Sequence, residues 1–88
     1  MIYRIELSRN ARKALLTVPA ADRRRIERAL DSLAHDPRPR GSKKLKGGSG
    51  ELRIGVGDYR ILYEVFDDVV LLLVLAVAQR KDVYRRHF

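Results

Sequence analysis

The sequence contains no cysteine and no tryptophan in 88 residues, and only one methionine. Without thiols, a disulfide staple and a thiolate zinc site are both excluded, and a reducing cytosol is compatible with the composition. Long apolar runs are also missing. The longest, "VVLLLVLAVA" at 69–78, is half of the roughly 20 residues a membrane-spanning helix needs, so it reads as a buried strand. The opening "MIYRIELSRN" places charges where a signal peptide would be apolar. The expectation is a cytoplasmic chain with no membrane partner. Histidine is scarce: His35 and His87 stand far apart, with no spacing that suggests a metal site. A metal nuclease would want clustered carboxylates, whereas the adjacent Asp67 and Asp68 sit in a turn that points them apart. Two-metal hydrolysis and histidine-based RNase chemistry therefore find little support, and no cofactor is expected. "GGSG" at 47–50 lacks the Gly-Lys-Ser/Thr and the parallel βα unit of a phosphate loop.

What the chain has in excess is positive charge. Nineteen Lys and Arg against eleven Asp and Glu leave a formal net charge of +8. Such an excess favours an anionic partner: nucleic acid, an anionic membrane surface or an acidic protein. The length fits one domain, residues 1–88, with a modest core.

Hydrophobic periodicity predicts the order βααβββ. In "IYRIEL", Tyr3, Ile5 and Leu7 alternate with Arg4 and Glu6, a short strand. Ser8 stands at a helix N-cap position, and a short helix follows over about Arg9 to Thr17, with Ala11, Leu15 and Val18 apolar. Pro19 ends that helix and suits the first turn of the next, which runs to about His35 on the stripe Ile26, Leu30, Leu33. Arg23 with Glu27 and Arg28 with Asp31 are expected as ion pairs on its wet side. "DPRP" at 36–39 terminates it. Residues 37–50 carry five Lys or Arg, four Gly and no acid, and read as a mobile basic loop. Strands are predicted at about 51–56, 59–66 and 69–79, antiparallel through turns at Gly57-Asp58 and Asp67-Asp68. The fold class is α+β, an antiparallel or mixed sheet with a helical hairpin packed on one face.

One stretch, "GDYRILYEVFDD" at 57–68, places Arg60 inside a half-buried strand, opposite in phase to Tyr59, Ile61, Tyr63 and Val65. In "ELRIGVG", Leu52, Ile54 and Val56 form one face, and Arg53, Gly55 and Gly57 the other. Arg80 ends the alternation Leu72, Val74, Ala76, Ala78. Three arginines from three adjacent strands can thus converge on one concave patch, where planar guanidinium forks suit phosphate. The alternative is that each is neutralised by a local acid such as Glu64 or Asp82. Lys43, Lys44 and Lys46 add a basic loop suited to non-specific contacts with a nucleic-acid backbone, or one that is simply solvated.

The ordered combination of Leu45-Lys46-Gly47, "GDYRILYEV", an apolar last strand and Arg80 followed by Tyr84 in "QRKDVYRR" resembles the RelE-type toxins of the RelE/ParE toxin–antitoxin superfamily. "SRNARKALLTVP" and the helix after it fit the same order, so the resemblance spans nearly the whole chain. It implies an α-hairpin on a small sheet and ribosome-dependent, metal-independent cleavage of mRNA by attack of the 2′-hydroxyl on the neighbouring phosphate. It implies roles for four residues. Arg60 stabilises charge on the scissile phosphate, and Arg53 is the first basic residue of the catalytic strand. Arg80 serves the leaving group or the phosphate, and Tyr84 stacks on a base or moves a proton. Position 55, where many such toxins carry a second lysine, is glycine here. The implied partners are a cognate antitoxin, the ribosome and mRNA, with operator DNA bound only through the antitoxin. A ParE-like inhibitor of DNA gyrase and a non-enzymatic RNA-binding module are the alternatives.

Overall fold

A computed structural model of the chain describes residues 1–45 and 48–83. Its elements run β1 (Arg4–Leu7), α1 (Arg9–Thr17), α2 (Ala20–His35), β2 (Lys43–Lys44), β3 (Leu52–Val56), β4 (Tyr59–Phe66), β5 (Leu71–Gln79) and α3 (Arg80–Val83). The strands form one sheet in the order β1-β5-β4-β3-β2. The predicted βααβββ core is all present, with β2 and α3 added to it. The sheet is mixed: β3, β4 and β5 are antiparallel neighbours, while β1 runs parallel to β5, with Arg4 opposite Leu71 and Leu7 opposite Val74. A parallel partner needs a crossover, and the helical hairpin supplies the first part of it.

The core lies between the hairpin and one sheet face. Ala11, Leu15 and Val18 from α1 and its end, with Ile26, Leu30 and Leu33 from α2, meet Leu52, Tyr59, Ile61, Tyr63, Leu72, Val74 and Val77. Both helical stripes are those expected from spacing. Tyr63 is fully buried, and its hydroxyl donates to the Pro37 carbonyl at 2.7 Å. Burial pushes the Tyr63 phenol above its ordinary pKa.

Ser8 caps α1 as its position suggests: its Oγ accepts the Ala11 N–H at 3.1 Å. The same hydroxyl donates to the Leu75 carbonyl at 2.8 Å. Leu75 is the extra residue of a β-bulge, because Tyr63 pairs with Val74 while Leu62 pairs with Ala76. The bulge breaks the simple alternation expected for β5. Leu72, Val74 and Val77 are buried, and Ala76 and Ala78 move to the other face.

Three further expectations are corrected. Residues 37–50 are not simply a mobile loop. Lys43 and Lys44 pair antiparallel with Arg53 and Leu52, and Ser42 donates to the Pro39 carbonyl through both its N–H and its hydroxyl. Arg38 also binds Asp67 through both terminal guanidinium nitrogens, Nη1 and Nη2, at 3.2 and 2.8 Å. The Asp67-Asp68 turn is a short 3-10 helix, Asp67–Val69, so β5 begins at Leu71 and Val70 takes a left-handed conformation at φ 52°. On α2, the ion pair among the described residues is Arg25 with Asp22 at 3.6 Å, rather than Arg23–Glu27 or Arg28–Asp31.

Candidate nucleic-acid interface

The face of the sheet turned away from the helices carries the candidate residues. Lys43 on β2 stands directly opposite Arg53 on β3. Arg53 is opposite Leu62, and one step further along the strands Gly55 is opposite Arg60, which is in turn opposite Ala78 of β5. Side chains alternate strictly, so Lys43, Arg53 and Arg60 share this face. Directly opposed residues have Cβ atoms about 5 Å apart and diagonal ones about 7–8 Å. Lys44 pairs with Leu52 and is therefore out of phase with Lys43; it is exposed at the sheet edge.

Among the described residues, none of these cations makes an ion pair. Glu64 lies on the same face but four residues along β4 from Arg60, about 13 Å at strand rise, and it does not pair with Arg53 either. Like charges directly opposite one another in a sheet are unfavourable by some tenths of a kcal/mol. The Lys43–Arg53 pair is thus a local cost that an anion bridging the two would reverse.

Arg60 has a defined pose. Its Nη1 donates to the Tyr59 carbonyl at 3.0 Å and reaches the Gly57 carbonyl at 3.5 Å. The guanidinium lies over Gly55, so close that a Cβ built there would stand 2.7 Å from Nη1. Gly57 takes φ 57° at the β3–β4 turn, a conformation that favours glycine, and the Arg25 guanidinium rests against it.

Arg80 is brought near but not into the same group. The β5 bulge puts its position in phase with Ala78 and Arg60, yet the chain turns into α3 at this residue. Its N–H donates to the Asp58 carbonyl at 2.6 Å. With Pro19, Asp22, Asp58, Tyr59, Gln79 and Lys81 it lines an open cleft of about 580 Å³ between the β3–β4 turn and the corner of the helical hairpin. The expected convergence therefore holds for Arg53 and Arg60, with Arg80 at the border of that face. Tyr84 and Lys46 lie outside the described residues. The pairing of Lys43 with Arg53 and the seating of the Arg60 guanidinium over Gly55 were not expected from the sequence. A two-residue strand gives no periodicity to detect, and a glycine reveals what it leaves room for only when the neighbouring strand is in register.

Chemically, this surface is a row of cations on an open sheet face, suited to a polyanion lying across β2, β3 and β4. Comparison with known proteins agrees with that reading of the fold. The family described as the ParE toxin of the type II toxin–antitoxin system parDE matches residues 5–84. The chain belongs to this toxin family.

Solved structures place the toxin among RelE folds. The archaeal RelE–RelB complex from Pyrococcus horikoshii contains a chain 32% identical to it, with a TM-score of 0.80, covering 91% of this toxin and 97% of that chain. The toxin–antitoxin complex RelBE2 from Mycobacterium tuberculosis gives 27% identity and a TM-score of 0.80, over 91% and 100% of the two chains. The RelB–RelE complex from Methanococcus jannaschii gives 29% identity and a TM-score of 0.74, over 91% and 95%. The chain is a RelE-type toxin of the RelE/ParE superfamily. No helix among the described residues is long and apolar enough to cross a membrane.

Proposed function

We propose that this toxin is a metal-independent endoribonuclease that cleaves mRNA on the ribosome and thereby stops translation. The observation that carries the proposal is the row Lys43, Arg53 and Arg60 on one open face, with no acid neutralising it among the described residues. In the proposed step the RNA 2′-hydroxyl gives up its proton as its oxygen attacks the adjacent phosphorus, the bond from phosphorus to the 5′-oxygen breaks, and that oxygen takes up a proton, leaving a cyclic phosphate and a 5′-hydroxyl. Arg60 and Arg53 offset the negative charge that builds on the phosphate oxygens, which is electrostatic rather than acid–base work. A guanidinium does not give up its proton at accessible pH, so it is no general base. The ribosome's part is to hold the message in line for attack, which accounts for a dependence on it. Arg80, at the border of the face, is assigned to the leaving group, and Tyr84 to base stacking or proton transfer. Lys43 is assigned to the RNA backbone, and Lys44 and Lys46 to the ribosome.

The toxin is proposed to act in the cytoplasm and to be held by a cognate antitoxin, as the RelE chains above are crystallised with RelB. A net charge of +8 suits an acidic or amphipathic segment that orders on binding. Operator DNA would be met only through that antitoxin. The decisive assay adds purified toxin to ribosomes programmed with a defined message and maps new 5′ ends by primer extension. Cuts that need the ribosome and vanish in Arg60→Ala are expected. The family's ParE name supports a second reading, inhibition of DNA gyrase. An absence of cuts together with loss of supercoiling activity would move the toxin to that target.

A further inference from the structure

The glycine at position 55 is not there for its backbone. Among the described glycines only Gly50 and Gly57 have positive φ, so any residue fits the conformation of position 55. Glycine inside a strand is less stabilising than alanine and gives up a side chain that could pack. What the position has instead is an occupant. Arg60 stands directly opposite on β4 and lays its guanidinium across the space where a side chain would be. A Cβ at 55 would lie 2.7 Å from Nη1 and 3.1 Å from Cζ, distances at which the guanidinium has to move.

The pose that Gly55 permits is a useful one. Nη1 is held by the carbonyls of Tyr59 and Gly57, the second oriented by the left-handed Gly57. Among the described residues, Nε and Nη2 make no hydrogen bond. They are adjacent donors of the planar fork, and such a pair matches two oxygens of one phosphate. We infer that Gly55 is a positioning residue: by leaving space on β3, it lets Arg60 lie anchored on the sheet with Nε and Nη2 presented to an RNA phosphate. A side chain at 55, a second cation included, would displace the group it is meant to assist. This inference rests on the RNA-cleaving reading, and it adds to it the reason why a neutral residue occupies the centre of a basic face.

The test is a double-mutant cycle with Gly55→Ala, Arg60→Ala and the pair. It reads four quantities: ribosome-dependent cleavage, affinity for a short single-stranded RNA, thermal stability, and the Nε–Hε resonance of Arg60 by NMR. Gly55→Ala is expected to hold or raise the melting temperature, to shift the Arg60 resonance, and to slow cleavage roughly 10- to 100-fold, the scale of a misplacement near 1 Å. In the Arg60→Ala background, where cleavage is already lost, it should leave RNA affinity unchanged, because the two residues act as one unit. An unmoved resonance with wild-type cleavage overturns the inference, as does an equal loss of RNA affinity with and without Arg60. If the wild-type toxin cuts no message at all, the proposed reaction fails separately. RNA affinity then decides: weakening by Gly55→Ala only where Arg60 is present upholds the positioning role, and indifference overturns it.

Discussion

Asp67 shows how much of a small fold can hang on one carboxylate. It accepts two bonds from Arg38 and a third from the Tyr3 hydroxyl at 2.6 Å, so the 3-10 turn, the segment after α2 and the start of β1 meet at one exposed residue. The Arg38 guanidinium, and after it the Tyr3 hydroxyl, hold the Asp67 carboxyl below its usual range; the same bond to Asp67 raises the Tyr3 phenol. A carboxylate depressed in the folded state adds stability above its unfolded pKa of about 3.9, and loses it as pH falls through the folded value. Asp67→Asn is therefore expected to lower the melting temperature at neutral pH, with the difference closing below about pH 4 and shrinking in high salt, since the group is exposed. Melting curves of the two proteins from pH 7 downward decide it, and a gap that does not begin to shrink below about pH 4 assigns the effect to something other than charge. None of this was legible beforehand. Arg38 and Asp67 are 29 positions apart, and only the closed sheet brings their segments together.

At the scale of elements, the sequence reading and the structure part where one residue serves two elements. The helices were legible because each carries its own periodic stripe, and β3 and β4 because alternation and a glycine turn specify a hairpin. The phase of β5 was not legible. "VLLLVLAVA" is apolar throughout, so nothing in it marks Leu75 as the inserted residue. What fixes the bulge comes from the other end of the chain: Ser8 donates its hydroxyl to the Leu75 carbonyl and its N–H to that of Val74. Ser8 was expected as a cap alone. Losing its hydroxyl removes the cap of α1 and leaves a part-buried carbonyl short of a donor. Ser8→Ala should thus cost about 1–3 kcal/mol, more than a cap alone, in urea unfolding monitored by circular dichroism. Hydrogen exchange at Ala76–Ala78 should quicken with it, because the register that sets the phase of Ala78 beside Arg60 depends on that bond. A loss no greater than a simple cap, with exchange unchanged, would mean that the bulge is held by the sheet alone.

Over the whole molecule, the charge of +8 is unevenly arranged, and that arrangement can be measured without knowing the reaction. On the open face, Lys43, Arg53 and Arg60 occupy the end near the β3–β4 turn. Glu6 and Glu64 flank Leu73 further along the same face, and Arg4 is already paired with Glu6 at 2.9 Å. A strand of RNA is thus attracted at one end of the sheet and repelled at the other. The site was legible in part from sequence, since the two-residue period puts Arg53 and Arg60 in phase. Lys43 joins them only through the two-residue β2. If each of the three cations neutralises one phosphate, binding of single-stranded RNA should weaken with salt at a log–log slope of about −2, at roughly −0.7 per phosphate. Arg53→Ala should bring that slope closer to zero by about 0.7, and Lys43→Ala likewise, whereas Lys44→Ala, out of phase with both, should leave it nearly unchanged. Fluorescence anisotropy with a short labelled RNA between about 50 and 200 mM salt resolves these differences. Equal effects at positions 43 and 44 would mean that the RNA follows the sheet edge rather than crossing its open face. The row of cations would then mark a nearby patch of positive potential, and not the path of the strand.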